Sequence, residues 1–127
     1  MKNAIIPKFL FDDEDVYSLQ DKGIQVDEGT QTIGRYKVPC YRFINMNESE
    51  VFDELEGNAL LEANAQDNAF AGRASSILFL KLREAMQIKE KEQRIAAGCA
   101  LLAAVNSLAA INTAYAKRFL PLVRTLN

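Results

Sequence analysis

Carboxylates are the side chains whose number and spacing in this sequence could do chemistry. The acidic run DDED at 12–15 could attract a divalent cation, and Glu50 could pair with Asp53 or Glu54 as acid and base. The run lacks the glycine and the distal glutamate of an EF-hand loop. Neighbouring acids on a helix surface are usually solvated. We therefore expect neither a metal site nor carboxylate catalysis.

The other residue types that serve catalysis or cofactor binding are missing or isolated. The sequence contains no histidine, which removes Ser–His and Cys–His nucleophile pairs and histidine-containing zinc sites. Cys40 and Cys99 are too few for a zinc site made of cysteines alone. Neither GxGxxG nor GxxxxGK followed by Ser or Thr occurs. We predict that the protein is not an enzyme and needs no cofactor or metal.

Charge is distributed unevenly along the chain. Residues 1–66 carry 13 acidic and six basic side chains, a net charge of −7, whereas residues 67–127 carry four acidic and nine basic ones, a net charge of +5. The halves could neutralise each other within one fold, or unlike halves of neighbouring copies could meet. The basic residues of the second half alternate with glutamates, as in helix ion pairs, so we expect no nucleic-acid partner.

Length and composition favour one domain over residues 1–127. The 127 residues are 49% hydrophobic and 25% charged, which is ordinary for a globular protein. No secretory signal is evident, because the apolar start is broken at Pro7 and Lys8 and followed by acids. We therefore expect a cytoplasmic protein or one assembled into an intracellular particle.

The N-terminal segment, 1–46, has the pattern of short strands. An apolar run at 4–11 contains Pro7, which restricts it to an edge strand or an extended arm. Residues 12–20 predict a short helix with favourable charge at its start. Residues 24–44 alternate apolar and polar side chains around two glycines and predict a hairpin or meander. Pro39 indicates that its strand is an edge strand or is bulged there.

The C-terminal segment, 47–127, is predicted to be helical. Asn47 and Glu50 fit a capping box, and Val51, Leu55, Ala59 and Ala63 follow as an apolar stripe. The opposite face of this helix is acidic and could contact a basic partner; the residues concerned are Asp53, Glu54, Glu56 and Glu62. The polar stretch 87–94 either holds a turn or belongs to one helix from 68 to 119, and Pro121 is expected to end the last helix.

An uncharged stretch, residues 95–116, could be a membrane span, a core helix or an assembly surface. It has the length of about 20 residues that a span requires. Its strong hydrophobes contribute about −2 to −4 kcal/mol to insertion, whereas Asn106 and Asn112 each cost about 1–3 kcal/mol. The summed free energy of membrane insertion is therefore near zero, so a membrane location is possible but not favoured.

Small side chains form a ridge along this stretch, at steps of three and four residues. The ridge would let another helix approach closely, either a helix of the same domain or one of another subunit. In the second case Asn106 and Asn112 would set the register by pairing across the contact. The ridge consists of Ala96, Ala100, Ala103, Ser107, Ala110 and Ala114.

These patterns predict a predominantly helical α+β fold: a small N-terminal β-hairpin or meander, then two or three helices, the last rich in alanine. The function they favour is a non-catalytic, self-associating structural or assembly subunit, as in a viral or other large particle. Its partners would be copies of itself or other protein subunits. One alternative is a monomeric inhibitor, immunity-type protein or adaptor that presents the acidic face to a basic partner. A second is a small membrane-associated protein with residues 95–116 as its span.

Overall fold

The computed structural model describes residues 2–59, 69–110 and 113–126, with the backbone alone at 56–59 and 69–72. Over these residues the chain forms a three-stranded antiparallel sheet followed by helices, which confirms the predominantly helical α+β fold. The strands are β1 (Asn3–Pro7), β2 (Val26–Ile33) and β3 (Tyr36–Ile44). The α-helices are α1 (Asp13–Asp21), α2 (Glu48–Ala59), α3 (Ala69–Met86), α4 (Lys91–Ala109) and α5 (Ala114–Arg124).

The sheet has the strand order β1-β3-β2, so β1 with its Pro7 is an edge strand as predicted. The strand that contains Pro39 is the central one, which corrects the prediction for β3. Its position is tolerated because β1 reaches β3 only as far as Cys40, which lies opposite Pro7. Beyond that point Pro39 has one neighbouring strand, β2, where it lies opposite Thr30. That half of the central strand is therefore locally an edge.

Both helices that start in an acidic stretch are capped by their own side chains. The Asp15 amide donates to Asp12 Oδ1 at 2.8 Å, and the Asp12 amide donates to Asp15 Oδ2 at 3.0 Å. At α2 the predicted capping box is confirmed: the Glu50 amide donates to Asn47 Oδ1 at 2.9 Å, and the Asn47 amide donates to Glu50 Oε1 at 3.4 Å. These bonds satisfy amides that have no partner within the helix. In the predicted stripe Val51 and Leu55 are buried, while the side chains of Ala59 and Ala63 lie outside the described residues.

Residues 87–90 reverse the chain between α3 and α4, so the single helix from 68 to 119 is not formed. The alanine-rich helix, α4, is the next to last and ends at Ala109, which corrects the prediction that it is the last one. Pro121 lies inside α5 and does not end it. A proline inside a helix costs about 3 kcal/mol. Packing of the buried side chains Phe119, Val123 and Leu126 offsets this cost, and no local pattern reports such packing.

Helix α4, which contains residues 95–109 of the uncharged stretch, contributes buried side chains to the core. Helix α4 packs against α3, α5 and the sheet, and Leu101, Ala104, Val105 and Leu108 are buried. A Cβ atom at Gly98 would lie 3.4 Å from Cδ1 of Leu126, which shows how closely the end of the chain approaches α4. A charged side chain would be disfavoured at these buried positions, which fits the absence of charge there. No helix within the described ranges is long and apolar enough to cross a bilayer.

Candidate interaction surfaces

The predicted ridge of small side chains is not one exposed strip. Ala103 and Ser107 are buried, and Ala103 packs against Val38 and Cys40 of β3. The Ser107 hydroxyl is satisfied internally by the carbonyl of Ala103 at 3.2 Å. Ala96 and Ala100 are half-buried, and Ala110 and Ala114 are exposed beyond the end of α4. The small side chains thus allow the chain's own sheet to approach α4.

Of the two asparagines predicted to set a register, Asn112 lies outside the described residues. Asn106 is exposed at the mouth of a groove of about 410 Å³ between α4 and α5. The lining of the groove also includes Ile95, Leu102 and Cys99, together with Arg124 of α5. Burial raises the pKa of the Cys99 thiol, and it raises that of Cys40 as well. Neither thiol is therefore activated as a nucleophile.

The outer face of α1 is an acidic surface with an exposed aromatic side chain in its middle. Tyr17 is 64% exposed. Asp13, Glu14 and Asp21 lie one helical turn from it and are exposed too, whereas Leu19 turns into the core. Sequence reasoning missed Tyr17. The spacing of its acidic neighbours was available as a signal, because residues three and four positions apart share a helix face.

A groove of about 240 Å³ runs beside this surface, between α1 and β2. Its lining includes Asp13, Tyr17, Glu28 and Tyr41. The Lys8 ammonium lies 5.2 Å from the centre of the Tyr41 ring and is bonded to the Glu28 carboxylate. Ring face and carboxylate together stabilise a cation. The chain's own lysine thus shows the kind of group that suits this side of the molecule.

The acidic face predicted on α2 lies next to α1. Asp53 and Glu54 are exposed, and Lys22 at the end of α1 reaches the Glu54 carboxylate at 3.2 Å. The other two predicted members, Glu56 and Glu62, have side chains outside the described residues. Helix α1 packs on α2, and the pair of Lys22 with Glu54 joins the two acidic helices.

Helix α5 has the opposite charge. It contains three basic residues and no acidic one, whereas α1 contains four acidic residues and no basic one. Lys117 and Arg124 are exposed and form no ion pair with any described residue. The Arg118 guanidinium lies 4.9 Å from the centre of the Phe79 ring. Leu122, 38% exposed, adds apolar surface to this basic face.

Neutralisation between the two halves is limited in the part of the chain that the structure describes. Arg73 reaches Asp15 at 2.6 Å and Asp12 at 3.8 Å, which joins a base of the second half to acids of the first. The pair of Arg35 with Glu92 also joins the two halves, but here the base lies in the first half and the acid in the second. The remaining ion pairs lie within one half. Among the residues that the structure describes, most of the charge asymmetry therefore remains without neutralising ion pairs between the halves.

The described residues contain no group of three His, Cys, Asp or Glu side chains that could hold a metal ion. Comparison of the chain with protein-family models, curated proteins and solved structures finds no match.

Proposed function

We propose that the protein is a non-catalytic, self-associating structural subunit, one copy of which binds the next. The observation that carries the proposal is the contrast between an acidic surface on α1 and a basic surface on α5 of the same chain. Unlike charges on two surfaces of one molecule favour contact between copies. The buried position of Ala103 and Ser107 directs the contact away from the α4 ridge and toward these surfaces.

The strength of such a contact can be estimated from its parts. An exposed ion pair contributes about 0–1 kcal/mol, so charges alone would give weak association. Exposed aromatic and aliphatic side chains add more, and interface energy is concentrated in aromatic residues such as Tyr. Tyr17 supplies apolar area among the acidic residues of α1, and Leu122 supplies it among the basic residues of α5. Association that weakens with salt follows from this combination.

Light scattering on a sizing column, without detergent, tests the proposal. The mass is to be measured over a range of protein concentrations at about 50 and about 500 mM salt, where screening differs strongly. We expect a mass above the 14.2 kDa of one chain that rises with concentration and falls at high salt. A single species of 14.2 kDa under all conditions would falsify the proposal.

A second candidate function is a monomeric inhibitor or adaptor with an acidic partner face on α2. It is favoured by the exposure of Asp53 and Glu54 beside the acidic residues of α1. In that case Asp53→Lys with Glu54→Lys would abolish binding to a basic protein and leave the mass at that of one chain. The same variant leaves an α1–α5 contact largely intact, so the two functions predict different results.

A further inference from the structure

We propose that the contact between copies is heterologous: the outer face of α1, centred on Tyr17, binds the outer face of α5 of a second copy, between Lys117 and Arg124. The inference rests on the proposed self-association and adds to it the two surfaces that meet.

On the acidic side, three exposed residues of α1 lie on one line. Asp13, Tyr17 and Asp21 are four residues apart, so they share one face of the helix. At a rise of 1.5 Å per residue, the two aspartates lie about 12 Å apart along the helix. Tyr17 stands midway between them and is 64% exposed. The face therefore offers an aromatic side chain between two carboxylates.

On the basic side, α5 has the matching order of groups. Lys117, Pro121 and Arg124 are exposed at steps of four and three residues, again on one face. Seven residues separate the two bases, which places them about 10.5 Å apart along the helix. Pro121 lies between them, with Leu122 beside it. Two bases thus flank an apolar centre at nearly the spacing at which two acids flank Tyr17.

The two faces belong to different parts of one molecule. Helix α1 packs on α2 and β2, whereas α5 packs on α4 and reaches α3 through the contact of Phe119 with Phe79. Both faces point outward. The α1 face of one copy is therefore available to the α5 face of another, and because the two faces differ, each added copy carries a further binding face. Contacts of this kind build rings or open chains.

The α1 face suits a second copy better than the neighbouring acids do. Glu54 on α2 is already paired with Lys22, and Asp15 is paired with Arg73. Asp13 and Asp21 have no ion pair with any residue that the structure describes. Their charges gain most from a partner's bases, and Tyr17 adds a side chain of the type that dominates interface energies.

Two variants, each with one face removed, test the inference. The first is Tyr17→Ala with Asp21→Asn. It removes the centre of the α1 face and one of its two carboxylates, and it adds no cation that could attract the reversed α5 face in a mixture. The second is Lys117→Glu with Arg124→Glu, which reverses the α5 face. Both variants keep their core side chains, and denaturant unfolding is used to verify that each is folded.

Mass measurement on each variant and on their 1:1 mixture gives the decisive comparison. We expect each variant alone to associate at least about tenfold more weakly than the wild type, as loss of a central aromatic anchor does. The mixture retains one intact α1 face and one intact α5 face, so it should give heterodimers and nothing larger. A matched control for the second variant, Lys37→Glu with Lys89→Glu, makes the same two base-to-acid changes at exposed sites outside α1 and α5 and should assemble like the wild type.

The outcomes separate this inference from the function on which it rests. If each variant alone assembles as well as the wild type, the α1–α5 contact is overturned. Self-association itself is then unaffected. A wild type whose mass stops at two chains overturns the heterologous arrangement, because one symmetric interface then uses both faces of each copy. Monomeric variants whose mixture is also monomeric overturn the α1–α5 contact itself, because the mixture still offers one intact face of each kind. A wild type that stays monomeric removes the proposed function, and the inference with it.

Discussion

The Tyr36 hydroxyl donates a hydrogen bond of 2.5 Å to the Glu92 carboxylate, which joins the β2–β3 hairpin to the first turn of α4. Arg35 binds the same carboxylate. These two partners, Tyr36 first and then Arg35, lower the pKa of Glu92 below its ordinary value. The hairpin is thus attached to the central helix by a bond that depends on the charge of one side chain.

This relationship predicts acid-sensitive stability. A carboxyl group whose pKa is lower in the folded state stabilises the fold above its unfolded pKa, about 4.3 for Glu, and loses that contribution as pH falls through the folded pKa. Hydrogen bonding by Lys2 lowers the pKa of Glu50 in the same way. We expect Glu92→Gln to lower the free energy of unfolding at pH 7 and to reduce its decline below about pH 4.

Denaturant unfolding at pH 7 and at about pH 3 measures this effect. The matched control is Glu90→Gln, an exposed neighbour whose side chain caps nothing at the start of α4. It should reproduce the pH dependence of the wild type. An equal acid-induced loss of stability in Glu92→Gln and the wild type would show that the bond to Tyr36 does not couple the hairpin to α4.

The burial of Ala103 predicts that the middle of the ridge serves folding. Ala103 is fully buried against β3, whereas Ala110 lies exposed just after α4. Overpacking a dense core typically costs about 1–3 kcal/mol, so Ala103→Leu should reduce the free energy of unfolding by that amount. Ala110→Leu adds the same side chain at the surface and should change stability by no more than about 0.5 kcal/mol. Equal stability of the two variants would place Ala103 outside the core.

The cysteines are expected to react slowly with thiol reagents and to differ from each other. Burial raises the pKa of both thiols, so the reactive thiolate is scarce at pH 7. Cys99 lines the α4–α5 groove and is partly exposed, whereas Cys40 is buried in contact with Ala103. Ellman's reagent should modify Cys99 first, at a rate that rises with pH. Single variants Cys40→Ala and Cys99→Ala assign the two phases, and faster modification of Cys40 would contradict its burial.

Local patterns in the sequence predicted those features that local interactions determine. The capping box of Asn47 and Glu50 could be predicted from the sequence, because both of its hydrogen bonds join residues three positions apart. The position of Pro7 on an edge strand could also be predicted from the sequence, because proline has no backbone N–H to donate to a neighbouring strand. The charge asymmetry between the halves could be counted from the sequence. The placement of the unlike charges on the surfaces of α1 and α5 could be seen only in the structure.

Other features depend on packing between distant segments and escaped local reasoning. A ridge of small side chains looks the same whether another helix or a sheet approaches it, so the contact of Ala103 with β3 could not be chosen in advance. The end of α4 at Ala109 carries no glycine or proline, and the return of α5 along α4 is set by buried side chains such as Phe119 and Leu126. Pro121 inside α5 shows the same dominance of tertiary packing over propensity.

Sedimentation equilibrium of the wild type and of Tyr17→Ala, at matched concentrations and low salt, tests the central claim most directly. We predict that the wild type associates and that Tyr17→Ala does so at least about tenfold more weakly, with an unchanged free energy of unfolding because Tyr17 is 64% exposed. Association of both proteins with the same strength, or a wild type of 14.2 kDa at every concentration, would contradict it.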